Sequence, residues 1–153
     1  MTPLSPSQMK VLRVRGLMLA LVPLGAAGFV EMVLLPRLEL PTGLAATPAV
    51  ILALILILAA PARRYRAWAY DVAEDELHVQ NGIFVRSHTI VPFGRVQHID
   101  VSQGPVERRY GIGAITLHTA GTRASAVVLP GLDLPDAERI RDEIRAKIRQ
   151  DLV

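Results

Sequence analysis

Hydrophobic positions change their spacing twice along this chain. Residues 16–30 carry no charge, Glu31 interrupts, and residues 32–36 continue the apolar run as far as Arg37. Residues 40–62 then pass 23 positions without a charged side chain. Such runs show neither the one-sided period of a half-buried helix nor the alternation of a strand. At 1.5 Å per residue, a 23-residue helix reaches about 35 Å, enough for a hydrocarbon core of roughly 30 Å. The pattern predicts two membrane-spanning helices, at about 16–36 and 40–62, forming a hairpin around a short turn at 36–43.

Beyond Arg66 the pattern becomes alternation punctuated by turns. Residues 70–72 read as a short strand and Ala73-Glu74-Asp75 as a turn. Residues 76–80 alternate with Leu77 and Val79 inward, and Asn81-Gly82 is a strong hairpin signal. Ile83, Val85 and Ile90 are expected on the returning strand, which Pro92-Phe93-Gly94 breaks. Residues 96–101 form another strand with Ile99 and Val101 on one face. A loop or short helical turn follows at 103–111. Residues 114–119 and 125–129 read as a strand pair around Ala120-Gly121-Thr122, and Pro130-Gly131 ends the sheet. A helix opens at Leu134-Pro135-Asp136, with Ala137, Ile140, Ile144, Ile148 and Leu152 on one face. Five or six short strands followed by one amphipathic helix make an α+β domain, a curled sheet plugged at one end by the helix.

Composition then explains itself. The chain has 153 residues, 51% hydrophobic but only 5% aromatic, and the aliphatic surplus sits in the two apolar runs. The net charge of +3 is divided unevenly: residues 1–69 hold seven basic and two acidic side chains, residues 70–153 ten and twelve. A duplex-binding domain is basic, so the acidic balance of the folded part excludes nucleic acid as a partner. Lys10, Arg13 and Arg15 precede the first run, and Arg63, Arg64 and Arg66 follow the second. By the positive-inside rule both termini are cytoplasmic and the short loop lies outside, which makes the protein a multi-pass membrane component. The lack of cysteine agrees with a reducing compartment. A cleavable signal peptide ending near Ala26-Ala27-Gly28 is the competing reading of the first run. The domain organisation is therefore a cytoplasmic segment at 1–15, a transmembrane hairpin at 16–62, a basic juxtamembrane linker at 63–69 and a folded domain at 70–153.

Few residues carry candidate chemistry. His78, His88, His98 and His118 all fall in or beside strands, without cysteine and without an H-x-x-x-H pair, so no metal site is expected. His98 and Asp100 share a strand face, but no nucleophile elbow accompanies them, and no catalytic residue is assigned. Gly111-Ile112-Gly113-Ala114 lacks the remaining glycine of a dinucleotide fingerprint, and no cofactor is implied. Glu31 is the single ionisable residue inside a span, either a functional carboxylate or one that reaches the outer interface. Ala45, Ala49 and Ala53 form a small-residue stripe suited to helix–helix packing, unless alanine is simply common here. Trp68 with Arg63, Arg64 and Arg66 is placed at the membrane surface. Arg86, Arg95, Arg108 and Arg109 are candidates for a carboxylate or phosphate partner; the alternative is pairing with Glu107, Asp100 and Asp71 inside the domain.

The string from Val91-Pro92-Phe93-Gly94-Arg95-Val96-Gln97-His98 through Gln103-Gly104-Pro105-Val106-Glu107-Arg108-Arg109-Tyr110-Gly111, followed by Thr116-Leu117-His118-Thr119, resembles the bacterial pleckstrin-homology (PH) family, in particular its YdbS-like membrane proteins. The resemblance covers about residues 10–148. It implies a bent antiparallel sheet closed by a C-terminal helix, behind a short transmembrane hairpin. It also implies a non-enzymatic interaction or assembly module, whose partner is a larger paralogue with several such domains or another copy of the chain. Members that read phosphoinositides use a basic loop between their first two strands, whereas residues 73–76 here are acidic. The alternative function is an anionic-lipid headgroup sensor, with Arg63, Arg64 and Arg66 and the Arg108-Arg109 loop against membrane lipids.

Overall fold

The computed structural model describes residues 1–120 and 126–150; the expected turn residues Gly121 and Thr122, the strand residue Ser125 and the helix position Leu152 lie outside them. The chain divides into two compact units, Met9–Arg63 and a second made of Met1–Gln8 with Arg64–Val153.

The first unit is the helical pair. One helix runs over Pro6–Leu34 and the other over Ala46–Arg66, both long and apolar enough to cross a membrane. Their apolar windows are only 11% and 17% buried, so they are not core helices of a soluble globule. The first helix starts ten residues before the expected span, because nothing between Pro6 and Gly16 breaks it and proline is well suited to the first helical position. The second starts later than expected: Glu39 (φ 54°) and Gly43 (φ 91°) are both left-handed and hold the connection out of helix. Gly16 permits a close approach in the pair, since a Cβ there would lie 2.2 Å from the carbonyl oxygen of Leu56. Ala20, Ala49 and Ala53 are buried as well, so small residues let these backbones come together.

The second unit is a pair of antiparallel sheets and a helix. β1 (Thr2–Pro3), β2 (Ala69–Val72), β3 (Glu76–Asn81) and β4 (Ser87–Pro92) form one sheet in that order. β5 (Val96–Ser102), β6 (Ile112–Thr119) and β7 (Ala126–Asp133) form the other. A short helix, Pro105–Arg109, joins β5 to β6, and the C-terminal helix spans Leu134–Gln150. Leu77 and Val79 of β3, Val91 of β4, Ile115 and Leu117 of β6 and Leu129 of β7 converge in one core. Phe93 fills its corner, and Ala137, Ile140 and Ile144 close it from the helix, as the 3–4 spacing of those residues requires.

Three features depart from the sequence reading. Residues 1–8 belong to the folded domain rather than to a separate cytoplasmic segment at 1–15. Pro3 pairs with Ala69 and Thr2 with Tyr70, Leu4 is 2% exposed in the core, and the Ser5 hydroxyl donates to Asp133 at 2.7 Å. The acidic turn at 73–75 therefore joins the second and third strands, and the helical pair itself occupies the connection between the first and second. Ile83 and Val85 do not continue a strand: β4 begins only at Ser87, and both residues stand in the open β3–β4 turn. Pro130 and Gly131 do not end the sheet but lie within β7, whose place at the sheet edge tolerates a missing N–H. Gly131 (φ 70°) leaves room for the Gln8 side chain, which a Cβ would meet at 2.6 Å.

Candidate functional site

β5 is an edge strand of its sheet, and its fully polar residues turn outward while Ile99 and Val101 pack against the core. Between β5 and the C-terminal helix runs an open groove of about 260 Å³, lined by Val96, Gln97, His98, Ile99, Arg145 and Ile148. Its floor is aliphatic and its rim carries an amide, an imidazole and a guanidinium. An edge strand offers unpaired backbone N–H and C=O groups, and a flanking groove of this kind can seat the side chains of an added strand. Gln97 and Arg145 were not among the residues expected from sequence. Their joining depends on how the C-terminal helix packs across the sheet, which local spacing does not encode.

Next to the groove, His98 and Asp100 do share a face, with Nε2 2.8 Å from the Asp100 carboxylate. His118, directly across the ladder from His98, reaches the other Asp100 oxygen at 3.2 Å. Asp100 is thus engaged by two imidazoles. A second set lies on the other sheet, where His78 contacts Glu76 at 2.6 Å and His88 at 3.2 Å. Among the described residues no group of three such side chains is arranged to hold a metal ion.

The four candidate arginines are all exposed and stand on three separate connections. Arg86 follows the β3–β4 turn, Arg95 ends the 3₁₀ turn before β5, and Arg108 and Arg109 close the short helix between β5 and β6. Asp71, one of the acids expected to neutralise them, instead faces the Met1 amine at 3.9 Å. Arg63, Arg64 and Arg66 are exposed in the last turn of the second apolar helix. Trp68 and Tyr70 pack against the domain core, so both rings have a structural partner within the domain. Burial pushes the Tyr70 phenol above its ordinary value, with Asp136 and Asp133 adding to the rise. On the exposed side of the C-terminal helix, the hydrogen bond from Arg141 lowers the Asp142 carboxyl.

In the helical pair, Ala49 and Ala53 are buried, while Ala45 sits just ahead of the second helix. Glu31 has a definite role there. Its carboxylate accepts from the backbone N–H of Gly43, and from those of Ala45 and Ala46 at 3.3 Å each. It caps the start of the second helix, where free amides and the positive end of the helix dipole favour an anion.

Comparison with known proteins agrees with this architecture. The bacterial PH domain family matches residues 19–148. Over 91 residues the chain is 40% identical to the UPF0699 transmembrane protein YdbS of Bacillus subtilis (strain 168), covering 60% of this chain and 55% of that one. Over 97 residues it is 28% identical to the UPF0699 transmembrane protein YdbT of the same organism, covering 63% of this chain and 20% of that one. The match thus spans about half of the first relative and a fifth of the second. No solved structure matches. A two-sheet domain closed by a C-terminal helix, carried on apolar helices and matched over residues 19–148, places this chain in the bacterial PH domain family.

Proposed function

We propose that this is a non-enzymatic membrane protein whose PH-like domain binds a protein partner by adding an extended segment to the edge of β5. The observation that carries this reading is the β5 edge, which no other strand among the described residues pairs, beside the groove lined by Ile99, Arg145 and Ile148. Backbone hydrogen bonds would give affinity, and the mixed apolar and cationic groove would select the side chains. The partner is a longer PH-domain relative or a second copy of this chain. The similarity to one fifth of YdbT supports the first choice, because it shows related sequence inside a much longer protein.

In this proposal the domain lies at the cytoplasmic face of the inner membrane, with two crossings. Support comes from the basic residues that flank both apolar helices and from the pairing of β1 with β2. Segments on either side of the helical pair share one sheet, and that requires an even number of crossings between them. Cleavage near Ala26-Ala27-Gly28 would strip β1 and Leu4 from the domain, which favours a retained first helix.

A photo-crosslinking residue at Gln97, with Asp75 on the far β2–β3 turn as control, tests partner binding in intact cells. A discrete adduct from position 97 alone is expected. No protein adduct at 97, or equal labelling from both positions, refutes the strand-edge reading. The anionic-lipid alternative rests on the exposure of Arg63, Arg64 and Arg66. In that case the full chain would recruit acidic lipid in a salt-dependent way that vanishes when those three are replaced.

A further inference from the structure

Among the described residues of the folded domain, the turn between β3 and β4 carries the most exposed apolar cluster. Phe84 is 91% exposed, Val85 81% and Ile83 45%, three consecutive large hydrophobic residues that stand outside the packed core. Their projection is built into the backbone. Gly82 has φ 123°, and a Cβ there would lie 1.8 Å from the Val85 carbonyl oxygen, so the turn closes behind the three residues and drives them outward. Soluble surfaces rarely display such a run without a use for it.

The sheet register says which connections leave this end of the domain. Ala69 pairs with Gln80, and Gln80 with His88, so the start of β2, the end of β3 and the start of β4 are level. Pro3 pairs with the same Ala69 from the other side. The chain enters the first apolar helix at Pro6, three residues past Pro3, and leaves the second at Arg66, three residues before Ala69. Both connections to the apolar helices thus depart from the sheet end that carries the Ile83-Phe84-Val85 turn. The acidic β2–β3 turn, Glu74 and Asp75, is at the opposite end.

Charge points the same way. Residues 77–99 contain no Asp or Glu, and Arg86 directly follows the apolar triplet. Hydrophobic residues beside a cation, in a stretch of sequence without carboxylates, suit the headgroup boundary of an anionic bilayer. A second copy of the chain is a poorer occupant, since three residues fall far short of the roughly 20–30 per side that a stable protein interface uses.

We infer that the β3–β4 turn is a membrane wedge: Ile83, Phe84 and Val85 insert into the cytoplasmic interface of the bilayer and Arg86 engages an anionic headgroup. The domain is then held by a third contact besides its two covalent connections, which fixes its orientation and turns the remaining surface towards the cytoplasm. This inference rests on the membrane anchoring proposed above but not on partner binding.

The chain has no cysteine, so single-cysteine spin labels report without background. Val22→Cys, Asp75→Cys and Phe84→Cys are compared in the full chain, reconstituted in nanodiscs of phosphatidylethanolamine and phosphatidylglycerol. Position 22, exposed on the first apolar helix, reports the anchoring. Collision with oxygen marks lipid, and collision with a water-soluble nickel chelate marks solvent. The expected result is an oxygen-to-nickel ratio at 84 several-fold above that at 75, approaching the ratio at 22. A solvent-like ratio at 84 with a lipid-like one at 22 overturns the wedge and leaves the anchoring intact. A solvent-like ratio at both overturns anchoring and wedge together. Shielding of 84 from both probes, with dipolar coupling between labels on different chains, replaces the bilayer by a second copy and also overturns the wedge.

Discussion

Replacing Leu4 with alanine should destabilise a domain whose remaining strands begin 65 residues later. Leu4 is 2% exposed, packed in the core that the strands and the C-terminal helix build. The substitution leaves the neighbouring polar contacts in place, because they use the backbone or other side chains. Tyr65 donates its hydroxyl to the Leu4 carbonyl at 2.8 Å, and the Ser5 N–H donates to the Gly131 carbonyl at 2.8 Å. What is lost is the buried isobutyl group and the space it filled, which costs about 2–5 kcal/mol for leucine in a closed core. In a domain of about 100 residues each kcal/mol moves the melting temperature by roughly 4–8 °C, so a fall of about 10 °C or more is expected. Trp68, the chain's single tryptophan, packs against the same core and reports the transition by fluorescence in the full-length protein. Thr2→Ala, at an exposed position of β1, is the control. If Leu4→Ala behaves like a surface substitution, within about 0.5 kcal/mol of the parent, residues 1–8 are not part of the domain and the reasoning fails.

Glu31→Ala should leave the Gly43, Ala45 and Ala46 amides without their acceptor and destabilise the start of the second helix by about 0.5–2 kcal/mol. Faster hydrogen exchange at those three amides, largely restored in Glu31→Gln, is the expected readout. Tyr70 should titrate above the ordinary phenol value of 10.0 because burial favours its neutral form. The sign follows from linkage: its contribution to stability is complete below pH 10 and is lost as pH rises through the folded-state value. Ultraviolet titration of the tyrosines, with Tyr70→Phe removing both the high-pH step and the associated loss of stability, checks it.

Much of the domain could be read from local periodicity because its elements are local. Leu77 and Val79 alternate, Ala137, Ile140, Ile144 and Ile148 recur at helical spacing, and Asn81-Gly82 announces a reversal; each is buried or placed as expected. The apolar runs were equally plain, though their ends were not. The first helix extends back to Pro6 through residues whose charges mark a membrane boundary but do not stop a helix. Hidden from sequence was everything that depends on distant partners. Thr2-Pro3 is too short to show alternation, and Leu4 looks like any apolar residue until its place beside Leu77 is known. Ile83 and Val85 alternate like strand residues, yet the tight closure at Gly82 leaves them in the turn. The groove beside β5 likewise joins residues separated by almost fifty positions.

The insertion of the helical pair between β1 and β2 bears on how the protein is made. β1 leaves the ribosome first, but its partner Tyr70 is 68 residues behind, on the far side of both apolar helices. Closing so long a loop is a late event in folding. Where the helices cross a bilayer, closure needs the two flanking segments in the same compartment. A chain inserted with the wrong number of crossings leaves Leu4 and its cleft in the domain core apart, each exposing apolar surface. If the two helices cross a bilayer as proposed, completion of the first sheet would then depend on both segments being threaded to the same side.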